Sequence, residues 1–171
     1  MLIGHLPAGY LAGTAALDRL AMPPCQRRAL LAVALVASVA PDLDLIAFYS
    51  GGGDVHHHAY PTHWPLAWAG LVALGLAVAA VRRDRFLALV AAFTGGAALL
   101  HLSLDSIAGA VRWGAPFSDH ETTLVEVPAR HGHWITSMVL HWTFAVEGVL
   151  LAVAVVVWLR RRQRGAAGVL G

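Results

Sequence analysis

The chain has 171 residues, 58% of them hydrophobic and only 13% charged, with a formal net charge of +2. A soluble domain carries about 25% charged residues, so a mostly wetted globule is excluded. The single cysteine, Cys25, excludes an intrachain disulfide and a thiolate metal cluster. The basic residues are twelve arginines that flank apolar runs without a basic, aromatic-studded patch, so no nucleic-acid partner is expected.

Taken in order, the apolar segments predict an all-α, polytopic membrane bundle of about five helices. The first, short, covers about Pro7–Leu20; lacking a basic region before it, it reads as a helix and not as a cleaved signal peptide. The second starts at Ala29 and ends near Ala40, because Pro41 removes a helix hydrogen bond. Residues 64–81, 86–109 and 134–159 approach or exceed the roughly 20 apolar residues that a span requires. Residues 1–164 read as one membrane-embedded domain, and 165–171 as a disordered tail.

Charge divides along this pattern. Arg19, Arg27 and Arg28, then Arg82, Arg83 and Arg85, then Arg160, Arg161, Arg162 and Arg164 share one face if every helix spans. The positive-inside rule makes that face cytoplasmic, together with the C-terminus. The opposite, outward face collects His5, Asp42, Asp44, the histidines of residues 56–63, His101 and Asp105, and the acids and histidines of the loop 110–133. A multi-pass protein of a bacterial inner membrane with its polar site facing outward is the expectation.

The polar groups have metal-ligand character. His101 and Asp105 are four apart on a predicted helix, so both aim at one point, and imidazole with carboxylate suits zinc, manganese or iron. A metal-free hydrogen-bonded pair is the structural alternative. Asp42 and Asp44 do not share a helical face; in an extended or turn segment after Pro41 they point the same way and either can bind a metal, or simply mark a helix end. In "HHHAYPTH" neighbouring histidines point apart, so His58 and His63 are favoured, with His57 as a substitute; a polar interfacial loop is the alternative. Trp64, Trp68, Trp113 and Trp134 read as an interfacial belt. His141 and Glu147 fall about two and four turns into the last helix, which puts Glu147 near mid-membrane, where an ionisable group is a functional candidate.

The motifs "GHL", "PDLD", "TH" five residues after His58, and "HLSLD" followed by Gly109 and Pro116 resemble those of the YdjM family, membrane-bound proteins regarded as metal-dependent hydrolases. The resemblance runs from Gly4 to about Phe117. It implies that His5, Asp42, Asp44, His58, His63, His101 and Asp105 are metal ligands. The sequence departs from the family pattern at Leu45 (usually His), at His57 and Ala59 (usually Arg and Gly), at Trp64 (usually Ser) and at Ile107 (usually Thr). The family is distantly similar to the zinc-dependent phospholipase C and P1 nuclease superfamily, which implies phosphoester hydrolysis by analogy.

These readings lead to a membrane-bound hydrolase with one or two divalent ions, zinc first, in which Asp42 or Asp44 bridges the ions or acts as the catalytic base. Its expected substrate is a membrane lipid or a membrane-anchored phosphoester. A metal-binding or metal-transporting membrane protein, and a non-catalytic scaffold, are the alternatives.

Overall fold

The computed structural model describes residues 1, 3–50 and 57–167, except the side chains of residues 57 and 165–167. It is all-helical: α1 His5–Leu17, α2 Pro24–Ala37, α3 Asp44–Ser50, α4 Pro65–Arg82, α5 Arg85–Ala108, α6 Trp134–Val139 and α7 Phe144–Ala167. Short 3₁₀ turns at Ala40–Leu43, His57–Ala59 and Pro61–His63 join α2 to α3 and lead into α4.

Local chemistry sets these boundaries. Prolines begin α2 and α4, where the missing N–H costs nothing and the fixed φ suits a first turn. The α4–α5 hairpin turns at Arg83, which takes a left-handed conformation with φ 52°. Asp84 then caps α5, its Oδ1 accepting from the backbone of Phe86 at 2.9 Å and of Leu87 at 3.1 Å. At its other end α5 leaves carbonyls without intrahelical partners. The loop that follows folds back on them: Leu124 N–H donates to Ser106 O and Val125 N–H to Ile107 O.

Contacts at the helix ends fix the direction of five elements. Beyond α1, Asp18 meets Arg27 of the first turn of α2 and Arg161 near the end of α7. At the opposite end, His101 of α5 reaches Ser38 after α2, and Glu147 of α7 reaches the head of α1. Thus α2 and α5 run toward the histidine-bearing end, while α1, α4 and α7 run away from it.

Small residues line the helix contacts, around a few buried large side chains such as Leu30 and Leu102. Ala34, Ala91, Ala97 and Ala98 are buried, whereas Leu71, Leu74, Val81 and Val155 are exposed. A Cβ on Gly9 would meet Ser38 Oγ at 2.4 Å, and one on Gly95 would meet Val72 Cγ2 at 2.6 Å. Close backbone approach inside and bulky aliphatics outside is the pattern expected where lipid, not water, is the surrounding solvent.

By length and composition, α4 and α5 can cross a membrane, and α2 with residues 40–50 forms a third candidate span bent by 52°. The five-span expectation therefore meets two such helices, or three with the bent pair, among the described residues. Helix α1, with 13 residues, is short. The segment 134–159 is not one helix: α6 stops at Val139 and α7 starts at Phe144. In the break, His141 Nδ1 and Thr143 Oγ1 lie 2.9 Å apart, a local side-chain hydrogen bond that competes with the helix. Helix α7 continues to Ala167; residues 168–171 lie outside the described residues.

Candidate metal centre

Five separate stretches of chain deliver histidines and aspartates to one buried cluster. His5 opens α1, Asp42 lies in the 3₁₀ turn after α2, His58 and His63 lie in the turns before α4, and His101 and Asp105 lie on the last turns of α5. His63, His101 and Asp105 are within 1% of full burial, while Asp42 is 24% exposed and is the ligand nearest solvent. Two groups have the geometry to hold an ion: His5, Asp42, His101 and Asp105, and His58, His63 and Asp105. In each group the ligand atoms lie within 4.8 Å of one another, and Asp105 belongs to both.

The i,i+4 spacing of "HLSLD" acts as expected, with His101 Nε2 2.9 Å from Asp105 Oδ2. His63 Nε2 lies 3.4 Å from the same oxygen, and His5 Nε2 lies 3.1 Å from Oδ1. The Met1 nitrogen also contacts Oδ1. The rings of His5 and His101 stack, with centroids 3.7 Å apart.

Each of three imidazoles is held by its far nitrogen. His101 Nδ1–H donates to Ser38 O at 2.8 Å, and His58 Nδ1–H donates to Ala110 O at 2.9 Å. His63 Nδ1–H donates to Asp44 Oδ2 at 2.5 Å, an oxygen that also accepts from Thr62 Oγ1 at 2.7 Å. A carbonyl or carboxylate can only accept, so Nδ1 carries the proton and Nε2 is turned to the cluster. Metal-binding histidines are oriented by such outer partners.

The donor set suits a divalent cation. Among the described residues, His5 Nδ1 is buried without a hydrogen-bond partner, a costly arrangement unless something else satisfies it. Four nitrogen and oxygen ligands in one group, and three in the other, match the ligand types and numbers of zinc sites.

His63 shows the electrostatics. Burial opposes its charged form, but hydrogen bonds to Asp105 and Asp44, and their negative charges, outweigh burial and raise its pKa from 6.5 to about 9. Protons and a metal ion therefore compete for this imidazole.

The two aspartates of "PDLD" diverge. The residues after Pro41 form a 3₁₀ turn followed by helix, not an extended segment, and side chains two apart there point in different directions. Asp42 faces the cluster, with its carboxylate 3.6 Å from His101 Nε2. Asp44 sits behind His63 and belongs to neither ligand group. The side chain of His57, and all of His56, lie outside the described residues. The histidines and acids of the loop 110–133 do not join the ligand groups found among the described residues: Asp119 and Glu121, for example, pair with Arg112.

Glu147 is displaced from its expected depth. Because α7 starts at Phe144, Glu147 is in its first turn, at the cluster's end of the bundle. Its buried Oε2 accepts from Ile3 N–H at 2.5 Å and Gly4 N–H at 2.9 Å. It thereby caps the helix that carries His5, a role that hydropathy alone does not reveal.

A family model described as YdjM inner membrane protein matches residues 1–169. The chain belongs to the YdjM inner membrane protein family. No curated protein and no solved structure matches it significantly. Two positions where this YdjM chain departs from the usual motif have other tasks: Leu45 borders a cleft beside Asp42, and Trp64 Nε1–H donates to Ala59 O at 3.0 Å. Gly109 closes the motif for a steric reason, since a Cβ there would meet His58 Cε1 at 2.8 Å.

Proposed function

We propose that this YdjM protein is a membrane-embedded, metal-dependent hydrolase acting on a phosphoester or lipid headgroup. The observation that carries the reading is the pair of ligand groups sharing Asp105, with three imidazoles held at Nδ1 so that Nε2 faces inward. His5, Asp42, His101 and Asp105 would hold one divalent ion, zinc first, and His58, His63 and Asp105 a second. When bound, such ions supply Lewis acidity and make water acidic enough to be a nucleophile near neutral pH.

The chain's own groups do the rest. Asp105 joins the two ligand groups and sets their separation. Asp42, the most exposed of the cluster's acids, is placed to take a proton from the attacking water. Asp44 orients His63 and stays out of the reaction's reach. Burial of the histidines excludes bulk water and strengthens their electrostatic action.

Transport is less well supported. It needs ionisable groups along a path, and Glu147 lies at the cluster's end, engaged with the backbone of α1. The arginine-rich ends of the helices mark the cytoplasmic side in this proposal, so the site faces outward.

The test is hydrolysis of bis-4-nitrophenyl phosphate by purified, zinc-loaded full-length protein. Activity that disappears on chelation, returns with zinc and falls at least about 100-fold in Asp42→Asn supports the reading. Activity indifferent to chelation, or none at any zinc concentration on this ester and on dodecyl 4-nitrophenyl phosphate, overturns it.

A further inference from the structure

The metal-ligand cluster is not sealed on all sides. A cavity of about 430 Å³ opens beside it, within the range of small-ligand sites. Asp42 and His58, one residue from each ligand group, form its polar edge. The rest of its wall is chiefly apolar and includes Leu45, Phe48, Trp134 and Met138.

Two short helices supply its large apolar side chains, and Ala108, Gly109, Val127 and Ala129 close the rest of the wall. α3 supplies Leu45 and Phe48, and α6 supplies Trp134 and Met138. The same helices turn other large apolar side chains outward: Ile46 is 70% exposed and Tyr49 63% on α3, and Ile135 and Val139 are exposed on α6. The cleft is thus chiefly apolar within, bordered by lipid-suited surface, and adjoins the ligand groups at Asp42 and His58.

We propose that this cleft holds a hydrocarbon chain of the substrate, which enters from the bilayer between α3 and α6 while its ester group rests at Asp42 and His58. The substrate class is an amphiphile recognised by its chain as well as by its headgroup. Water-soluble phosphoesters lack the part that the cleft binds. The assignment of the ester group rests on the hydrolytic reading; the assignment of the chain rests on the cleft alone.

Two measurements on zinc-loaded full-length protein test it. The first compares methyl, octyl and dodecyl 4-nitrophenyl phosphodiesters in one non-ionic detergent, for wild type and Met138→Trp. Partition into micelles is common to both proteins and cancels in their ratio. A buried methylene is worth about fourfold, so filling the cleft lowers the dodecyl-to-methyl selectivity by at least about tenfold. The second irradiates wild type with a dodecyl phosphonate carrying a diazirine in its chain, and maps the labelled peptides.

Labels on 45–48 and 134–138, with the selectivity loss, support the proposal. Unchanged selectivity in Met138→Trp, with labels confined to α4, α5 and α7, overturns it even if hydrolysis is robust. Labels in the cleft without hydrolysis of any ester sustain chain binding and overturn the hydrolytic reading instead. If Met138→Trp loses its zinc and does not fold, Ala129→Leu, which narrows the same cleft, and the wild-type labelling decide the matter.

Discussion

At the scale of the residue, the cluster separates groups with the geometry to hold an ion from groups that aim them. Asp44 is an aiming group, since its Oδ2 accepts from His63 Nδ1–H. Asp44→Asn keeps the shape and removes the charge; zinc affinity is expected to fall about 10–100-fold, read by competition with a chromophoric chelator. An unchanged affinity would remove Asp44 from the account. Gly109→Ala places a methyl group against His58 and is expected to weaken the His58–His63–Asp105 group while sparing the other. Occupancy of one ion, not two, is the result to look for.

His63 gives a pH prediction. Its pKa is raised from 6.5 to about 9 by its carboxylate partners. The paired charge therefore stabilises metal-free protein fully below about pH 6.5, and that contribution disappears as pH rises through 9. Thermal unfolding of chelator-treated protein should occur at progressively lower temperature over that interval. Zinc binding at pH 7.5 should release protons, measurable by calorimetry in buffers of different ionisation enthalpy. Proton release of zero would contradict the assignment.

Part of the cluster was legible because its spacing carries chemistry. The i,i+4 pair His101 and Asp105 needs only a helix to converge. The separate tasks of Asp42 and Asp44 were not legible. Their divergence depends on the 3₁₀ turn after Pro41, and on His63 being brought from 19 residues away.

At the scale of the element, long apolar runs announce themselves and short amphipathic ones do not. Helices α4 and α5 lie within a residue of their expected bounds, because an uninterrupted apolar run has few alternatives to a helix. The break at residues 140–143 falls in a sequence that is apolar on both sides, so hydropathy reads straight through it. That break moves Glu147 from mid-span to the first turn of α7, where it caps α1. Glu147→Ala leaves Ile3 and Gly4 N–H without this acceptor and is expected to cost about 1–3 kcal/mol. Glu147→Gln should recover part of it. Because His5 is the first residue of α1, the alanine variant should also loosen the His5–Asp42–His101–Asp105 group. Unaltered stability and zinc content in Glu147→Ala would show that α1 is positioned by other means.

At the scale of the whole molecule, polarity is divided end to end. Asp18, Arg27 and Arg161 gather at one end of α1, α2 and α7, and the histidines at the other. Arg161, through a hydrogen bond, and Arg27 hold the Asp18 carboxyl below its ordinary pKa, so this exposed tie persists across the neutral range. The family is an inner-membrane one, and close Ala and Gly contacts between helices whose outer faces carry exposed Leu and Val agree with that setting. The end-to-end division was readable from arginine and histidine positions alone. The convergence of five chain segments on Asp105 was not, because no spacing in the sequence relates His5 to His101.

The hydrolytic reading depends on one shared carboxylate serving two ion positions. Elemental analysis of zinc per chain in purified wild type, His5→Ala, His58→Ala and Asp105→Ala tests that directly. By the division of ligands between the groups, the expected values are two ions in wild type, about one in His58→Ala and Asp105→Ala, where the second group keeps only two donors, and a weakened first ion in His5→Ala. Wild-type stoichiometry retained in Asp105→Ala would contradict the account.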